Sequence, residues 1–228
     1  VTIVKMSGAG NDFVVLGPDE IRSLGEGLVP WVRRVCRRGL SVGADGVLTV
    51  EPTGPDRVRV RFFNPDGAES FCGNGCRCAA RFALERGFAA ESLRMQTAAG
   101  EIEAKVLGST VRIVLPPPQD AGRITLDDGT DSVTGRRVIA GVPHFVITVD
   151  DVRSAPLPSW GPWLRRHPAF GTEGTNVDVV SPRPTGGLDV RTWERGVEGE
   201  TLACGTGAVA VAMAARLEGG EETIRVVP

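Results

Sequence analysis

FCGNGCRCAARFALE (Phe71 to Glu85) sets a cysteine, two glycines and an asparagine directly before an alanine-, phenylalanine- and leucine-rich run. LACGTGAVAVAMAARLE (Leu202 to Glu218) repeats the arrangement, with Cys72 and Cys204 lying 132 positions apart. The same offset lays Phe13-Val14-Val15 on Phe145-Val146-Ile147, Val47-Leu48 on Val179-Val180 and Val58-Arg59 on Val190-Arg191, and it also lays Gly67 on Gly199 and Gly75 on Gly207. A constant, gapless offset that carries both cysteine turns marks two copies of one unit, unlike the roughly 20- to 50-residue period of a solenoid.

Between the copies runs PPPQDAGRITLDDGTD (Pro116 to Asp131). Three successive prolines continue neither a helix nor a central strand, which places a boundary near residue 117 and gives units 1–117 and 118–228. Short β-branched runs such as Val58 to Phe62, Val111 to Leu115 and Phe145 to Val149 alternate with Gly and Pro signals and read as strands. The clearest helices follow the two cysteine turns. Cys78 to Leu84, and Ala208 to Leu217 above all, are apolar around most of their circumference, which predicts buried helices. The expected fold class is α+β: two pseudo-symmetric domains, each a mainly antiparallel sheet wrapped around a buried central helix. The second copy is the shorter. Glu91 to Gln96 has a rough counterpart in Thr223 to Val227, but Thr97 to Leu115 has none, so the final hairpin of the second copy is expected to be missing.

Composition removes several classes of function. With 26 basic and 28 acidic residues the net charge is −2, and neither sign forms blocks. Nucleic-acid and anionic-membrane binding have no electrostatic footprint, and the absence of tyrosine leaves few stacking platforms for bases. No window is long and apolar enough for a membrane span, and no secretory leader is evident. Five cysteines, three of them crowded at Cys72, Cys76 and Cys78, make a poor disulfide framework and predict a reducing, cytoplasmic setting.

A helix N-terminus offers unpaired N–H groups and the positive end of the helix dipole. Gly73-Asn74-Gly75 after Cys72, and Gly205-Thr206-Gly207 after Cys204, let those amides approach an anion such as a carboxylate. The same field is expected to bring a thiol from about 8.5 towards neutrality. Two thiols, one on each side of an α-carbon, suit a two-base inversion in which a thiolate removes a proton and a thiol returns one. No phosphate cradle, nicotinamide motif or pyridoxal lysine context is evident, so no cofactor is expected. For a single instance, a cysteine at a helix start is more often a small hydrophobe, but two in matching turns favour function. Cys76 and Cys78, which have Ala208 and Ala210 as counterparts, are assigned to helix packing. Their C-x3-C-x-C spacing with Cys72 does not match zinc ligation, and no metal is expected.

The chain resembles diaminopimelate epimerase and the related pyridoxal-independent, two-cysteine amino-acid epimerases and racemases. The resemblance is carried by KMSGAGNDFVV, VGADGVL, FNPDGAESFCGNGCRC, GVPHFVITVDD, GTNVDVV and TWERGVEGETLACGTGAVAVA, which together span nearly the whole chain. It implies that Cys72 and Cys204 are the acid/base pair and that His144 and Glu194 set the protonation of the thiols. It implies further that Gly73, Asn74, Gly205 and Thr206 hold the α-carboxylate, while Asn11, Asn64, Asn176, Glu194 and Arg195 hold the other polar groups. Departures bear on the substrate. Val142 stands where the family reads Asn, Phe145 stands where Cys is frequent, and Glu198 reads as an insertion before Cys204. Diaminopimelate is the default substrate; the alternatives are another amino acid handled by the same mechanism and a non-catalytic amino-acid-binding protein. The expected partner is a small-molecule amino acid; among protein partners only a second copy of the chain, in a homodimer, is left open.

Overall fold

The computed structural model describes residues 2–220 and 224–227 and divides into two compact units, Val1–Pro116 and Pro117–Pro228. The first runs β1 (Val4–Gly8), β2 (Asn11–Leu16), α1 (Pro18–Leu24), α2 (Leu28–Val35), β3 (Gly46–Gly54), β4 (Arg57–Phe63), β5 (Glu69–Ser70), α3 (Gly73–Glu85), β6 (Ser92–Thr97), β7 (Gly100–Leu107) and β8 (Thr110–Val114). Its sheet is ordered β1-β2-β3-β4-β6-β7-β8, with β5 also on β4. The steps β2/β3 and β4/β6 are parallel. A parallel step needs a crossover, which α1 and α2 supply for the first and α3 for the second.

The second unit runs β9 (Gln119–Asp127), β10 (Ser132–Ala140), β11 (Val142–Thr148), α4 (Leu157–Arg165), β12 (Asn176–Pro182), β13 (Leu188–Glu194), β14 (Gly199–Thr201), α5 (Gly205–Leu217) and β15 (Val226–Val227). The order is β14-β13-β12-β11-β10-β9, with β15 on β13. Its parallel steps, β11/β12 and β13/β15, repeat those of the first unit. The spans of α3 and α5 are offset by 132 at both ends. Thr223, part of the segment matched to Glu91–Gln96, lies outside the described residues; Val226 and Val227 pair with Leu188 and Asp189.

Both faces of the second sheet are covered, and strand alternation sorts the side chains between them. Phe145, Ile147, Val177 and Val179 pack with Leu157 and Leu164 of α4. Their neighbours Val146, Val180 and Val190 pack with Ala210 and Val211 of α5. By the same parity His144, Asn176, Asp178, Thr192 and Glu194 belong to the face that carries α5. In the first unit Val14, Leu16 and Val47 pack under α2, so Asn11 belongs to the face that carries α3.

The two central helices are covered to different extents. Nine of the thirteen residues of α3 are buried, and β7 and β8 lie among the strands packed on it. Only five of the thirteen in α5 are buried. The expectation of a helix buried on all sides therefore holds for α3 and for one face of α5. Among the described residues α5 packs on β10, β11, β12, β13 and β15, with no counterpart of β7 and β8. Val209, Ala212 and Met213 instead line a groove of about 550 Å3 with Pro118 and Ile224.

Candidate active site

Each cysteine turn places its thiol in the same capping position. Cys72 and Cys204 have extended backbones (φ −139°, ψ 113° and φ −118°, ψ 110°), as residues preceding a helix do. The Cys72 Sγ accepts from the Gly75 N–H at 3.4 Å, and the Cys204 Sγ accepts from the Gly207 N–H at 3.4 Å. Both cysteines are half-buried, whereas Cys36, Cys76 and Cys78 are buried. None of the five is in a disulfide. Burial pushes the Cys78 thiol up to about 11 and the Cys76 thiol higher still, consistent with packing roles for both. No cluster able to hold a metal ion is present among the described residues.

Behind the first turn stands a network of amides. The Asn74 Nδ2 donates to Asn11 Oδ1 at 2.6 Å, and the Asn11 Nδ2 donates to Asp45 Oδ2 at 3.1 Å. Asp45 and Asp12 each accept from the other's backbone N–H, and Arg38 bridges both carboxylates. The VGADGVL segment thus contributes Asp45, which fixes Asn11 and through it the start of α3. Asn64 follows β4 and closes a turn, its N–H donating to the Ala68 carbonyl at 2.9 Å. Gly73 begins the helix, with Ile113 3.8 Å from where a Cβ would lie.

Behind the second turn the network is titratable. His144 is 1% exposed and Asp178 0%. The His144 Nδ1 lies 2.7 Å from Asp178 Oδ2, and its Nε2 lies 2.9 Å from Thr206 Oγ1. Thr206 Oγ1 is in turn 3.4 Å from the Cys204 sulfur. The Thr192 hydroxyl donates to the other Asp178 oxygen at 2.6 Å. Asn176 donates to the Pro143 carbonyl and accepts from the Arg195 N–H at 2.7 Å.

Glu194, half-buried at the end of β13, acts on Cys204 through its charge. The Arg195 side chain pairs with Glu173 at 3.0 Å. Glu198 has φ +58° in a left-handed turn and pairs with Arg165 and Arg166. Val142 opens β11 half-buried, opposite Ala140 across a turn at Gly141, whose φ of +78° suits glycine.

Burial pushes the Cys204 thiol well above its ordinary value. The Glu194 and Asp178 charges add to this, and the Thr206 hydroxyl and Gly207 N–H oppose it without reversing it. This corrects the expectation of a near-neutral thiol here: desolvation outweighs the helix terminus, and Cys204 rests protonated. Two members of the network, Asp178 and Thr192, lie inside the motifs GTNVDVV and TWERGVEGETLACGTGAVAVA without any role that those motifs assign. Asp178 carries a signal nonetheless, since it is the one ionisable residue in the otherwise apolar and neutral run NVDVVS. Gly207 explains the second glycine of CGTG. A Cβ there would lie 2.6 Å from Asp178 Oδ1, so glycine admits the carboxylate to the helix start.

Comparison with known proteins adds independent findings. The family model for diaminopimelate epimerase matches residues 3–115 and 137–227. The diaminopimelate epimerase of Aquifex aeolicus (strain VF5) is 42% identical over 226 residues, covering 94% of this chain and 81% of the relative. That of Hydrogenobaculum sp. (strain Y04AAS1) is 41% identical over 230 residues, covering 95% and 83%. Among solved structures, a probable proline racemase from Agrobacterium radiobacter K84 superposes with a TM-score of 0.72 at 17% identity, covering 99% of this chain and 81% of that one. This last likeness establishes the fold: two sheet-dominated domains of the epimerase and racemase type. With the family model spanning both cysteine turns, the chain belongs to the diaminopimelate epimerase family.

Proposed function

We propose that the chain is an isomerase that epimerises diaminopimelate at an α-carbon without a cofactor, with Cys72 and Cys204 as the acid and the base. The observation that carries this reading is the duplicated cap: two thiols in one backbone conformation, each accepting from the third amide of its helix at 3.4 Å. A carboxylate suits the remaining amides of Gly73, Asn74, Gly205 and Thr206, because helix-terminal N–H groups bind anions. The α-proton is removed by the cysteine in thiolate form, and the other cysteine, as thiol, delivers a proton to the opposite face. Each turnover exchanges the two states, so the reverse reaction uses the same groups. His144 acts beside Cys204 through Thr206, and Glu194 raises the proton affinity of Cys204, which favours that cysteine as the resting acid.

The family assignment favours diaminopimelate as substrate, and Val142 at the start of β11 is the position to vary if a different amino acid is preferred. Incubation with each diaminopimelate isomer in deuterated water, without pyridoxal phosphate, should incorporate deuterium at the α-carbon as the isomers interconvert. Cys72→Ser and Cys204→Ser should each abolish full turnover. Normal epimerisation by Cys72→Ser would refute the two-cysteine mechanism.

A further inference from the structure

Arg195 is the first residue after β13, and its side chain is only 15% exposed. A guanidinium carries N–H donors in a rigid plane and no acceptor, so its direction depends on which atoms take those donors. Two residues of TEGTN (Thr172 to Asn176), the segment leading into β12, hold it. Asn176 Oδ1 accepts from the Arg195 backbone N–H at 2.7 Å. At the far end Glu173 takes Nη1 twice, with its carboxylate at 3.0 Å and its backbone carbonyl at 3.4 Å. The segment is itself fixed. Thr175 is fully buried, and its N–H donates to the Arg165 carbonyl at 3.1 Å. Gly174, with φ +69°, lies so close that a Cβ would be 2.3 Å from that carbonyl oxygen.

The Glu173 carboxylate is exposed, so the ion pair contributes little to stability. Its effect is on direction. Nη1 is the terminal nitrogen remote from the Nε–H. With Nη1 engaged, Nε and Nη2 form the remaining edge, and among the described residues neither has a protein partner. A carboxylate fits that edge through two parallel hydrogen bonds. The same strand shows the edge in use, since Arg191 meets Glu200 through Nε at 2.6 Å and Nη2 at 2.8 Å. At the offset of 132, Ser41 and Phe63 stand for Glu173 and Arg195. The unit that lacks the arginine lacks the glutamate as well.

We infer that Glu173 is a positioning residue for substrate binding: by holding Nη1 of Arg195 it leaves the Nε–Nη2 edge directed at a carboxylate of the substrate. This role rests on the reading of Arg195 as a substrate ligand of an epimerase, and the measurements below separate the two.

Glu173→Ala should raise KM for diaminopimelate at least about tenfold, as for loss of a hydrogen bond to a charged group, with kcat within about threefold of wild type. Glu173→Gln, whose amide oxygen still accepts from Nη1, should recover most of that loss. The melting temperature of Glu173→Ala should stay within about 3 °C of wild type, as for an exposed pair. Arg195→Met should also raise KM, and adding Glu173→Ala to it should raise KM no further. Wild-type or lower KM in Glu173→Ala, a loss confined to kcat, wild-type KM in Arg195→Met, or a further rise in the double variant would each overturn the assignment. Arginine side-chain 15N spectra need no turnover. Hindered rotation about Nε–Cζ should resolve the two Nη signals of Arg195 in the wild type and merge them in Glu173→Ala; merged signals in the wild type would refute the positioning. A wild type that leaves diaminopimelate unchanged would count against the proposed function, and the spectra would still decide whether Glu173 orients Arg195.

Discussion

Gly207→Ala tests how tightly the start of α5 is built around Asp178. The added Cβ would lie 2.6 Å from Asp178 Oδ1 and 3.2 Å from both Cys204 Cβ and Thr192 Oγ1. Asp178 is fully buried and held on one side by His144 at 2.7 Å and on the other by Thr192 at 2.6 Å. Any retreat of the carboxylate lengthens both bonds. Hydrogen bonds to a charged group contribute about 1.5–3 kcal/mol each, while alanine in place of glycine gains up to about 1 kcal/mol of helix propensity. A net loss of about 2–4 kcal/mol follows, or about 4–16 °C in melting temperature for a chain of this size. The matched control is Gly75→Ala in the first unit. Its nearest neighbour would be Leu48 Cδ2 at 3.0 Å, the end of a side chain that can turn aside. Thermal unfolding by circular dichroism of both variants, with epimerase activity in parallel, makes the comparison. If Gly207→Ala melts with Gly75→Ala and turns over normally, Asp178 is not confined as described, and the reasoning fails.

Alkylation with iodoacetamide of the native enzyme, read by peptide mass spectrometry, should leave Cys36, Cys76 and Cys78 unmodified while Cys72 and Cys204 react. The Cys204 rate should climb about tenfold per pH unit between pH 7 and 9, because only the thiolate reacts and Cys204 rests as thiol; a flat profile would contradict its raised proton affinity. Asp12 supplies an acid limit. Burial raises its carboxyl, but hydrogen bonds from Arg38, Lys5 and the Asp45 N–H outweigh that and hold it well below the usual range. A depressed carboxyl contributes stability above its unfolded value of about 3.9 and loses it as pH falls below. The wild-type melting temperature should therefore drop below about pH 4 more steeply than that of Asp12→Asn; equal slopes would remove Asp12 from the account.

Much of the fold is written in the repeat. The offset that pairs Cys72 with Cys204 also pairs the two helices end for end; the run Val58 to Phe62 falls within β4, and Phe145 to Val149 overlaps β11 up to Thr148. Helix α4 is harder to see, because LPSWGPWLR carries Pro162 inside it and is held by packing against the sheet rather than by propensity. The uneven cover of α3 and α5 is hidden for a different reason. An all-apolar helix looks the same whether two faces are covered or one, and only the absence of a match to Thr97–Leu115 hints at it. At the site, the capping thiols, Asn11 and His144 announce themselves through motif and position. Asp178 does not, because its role depends on strand parity that brings it to the α5 face beside His144. The proton affinity of Cys204 was legible in sign only after burial was known. A helix terminus and desolvation act in opposite directions, and sequence shows only the first.

The contrast between the bracing of the two turns bears on how a symmetric reaction becomes chemically uneven. Two identical subunits must carry the same side chain at equivalent positions, so a mutation that helps one thiol is imposed on the other. Within one duplicated chain that link is broken. Asp12 and His144, Gly46 and Asp178, Asn74 and Thr206 occupy matched places and differ in each pair. One copy sets amides backed by Asp45, Asp12 and Arg38 behind its cysteine, and the other sets a buried histidine and carboxylate there. The covalent join between the copies is what allows two matching turns to stand in front of different side chains.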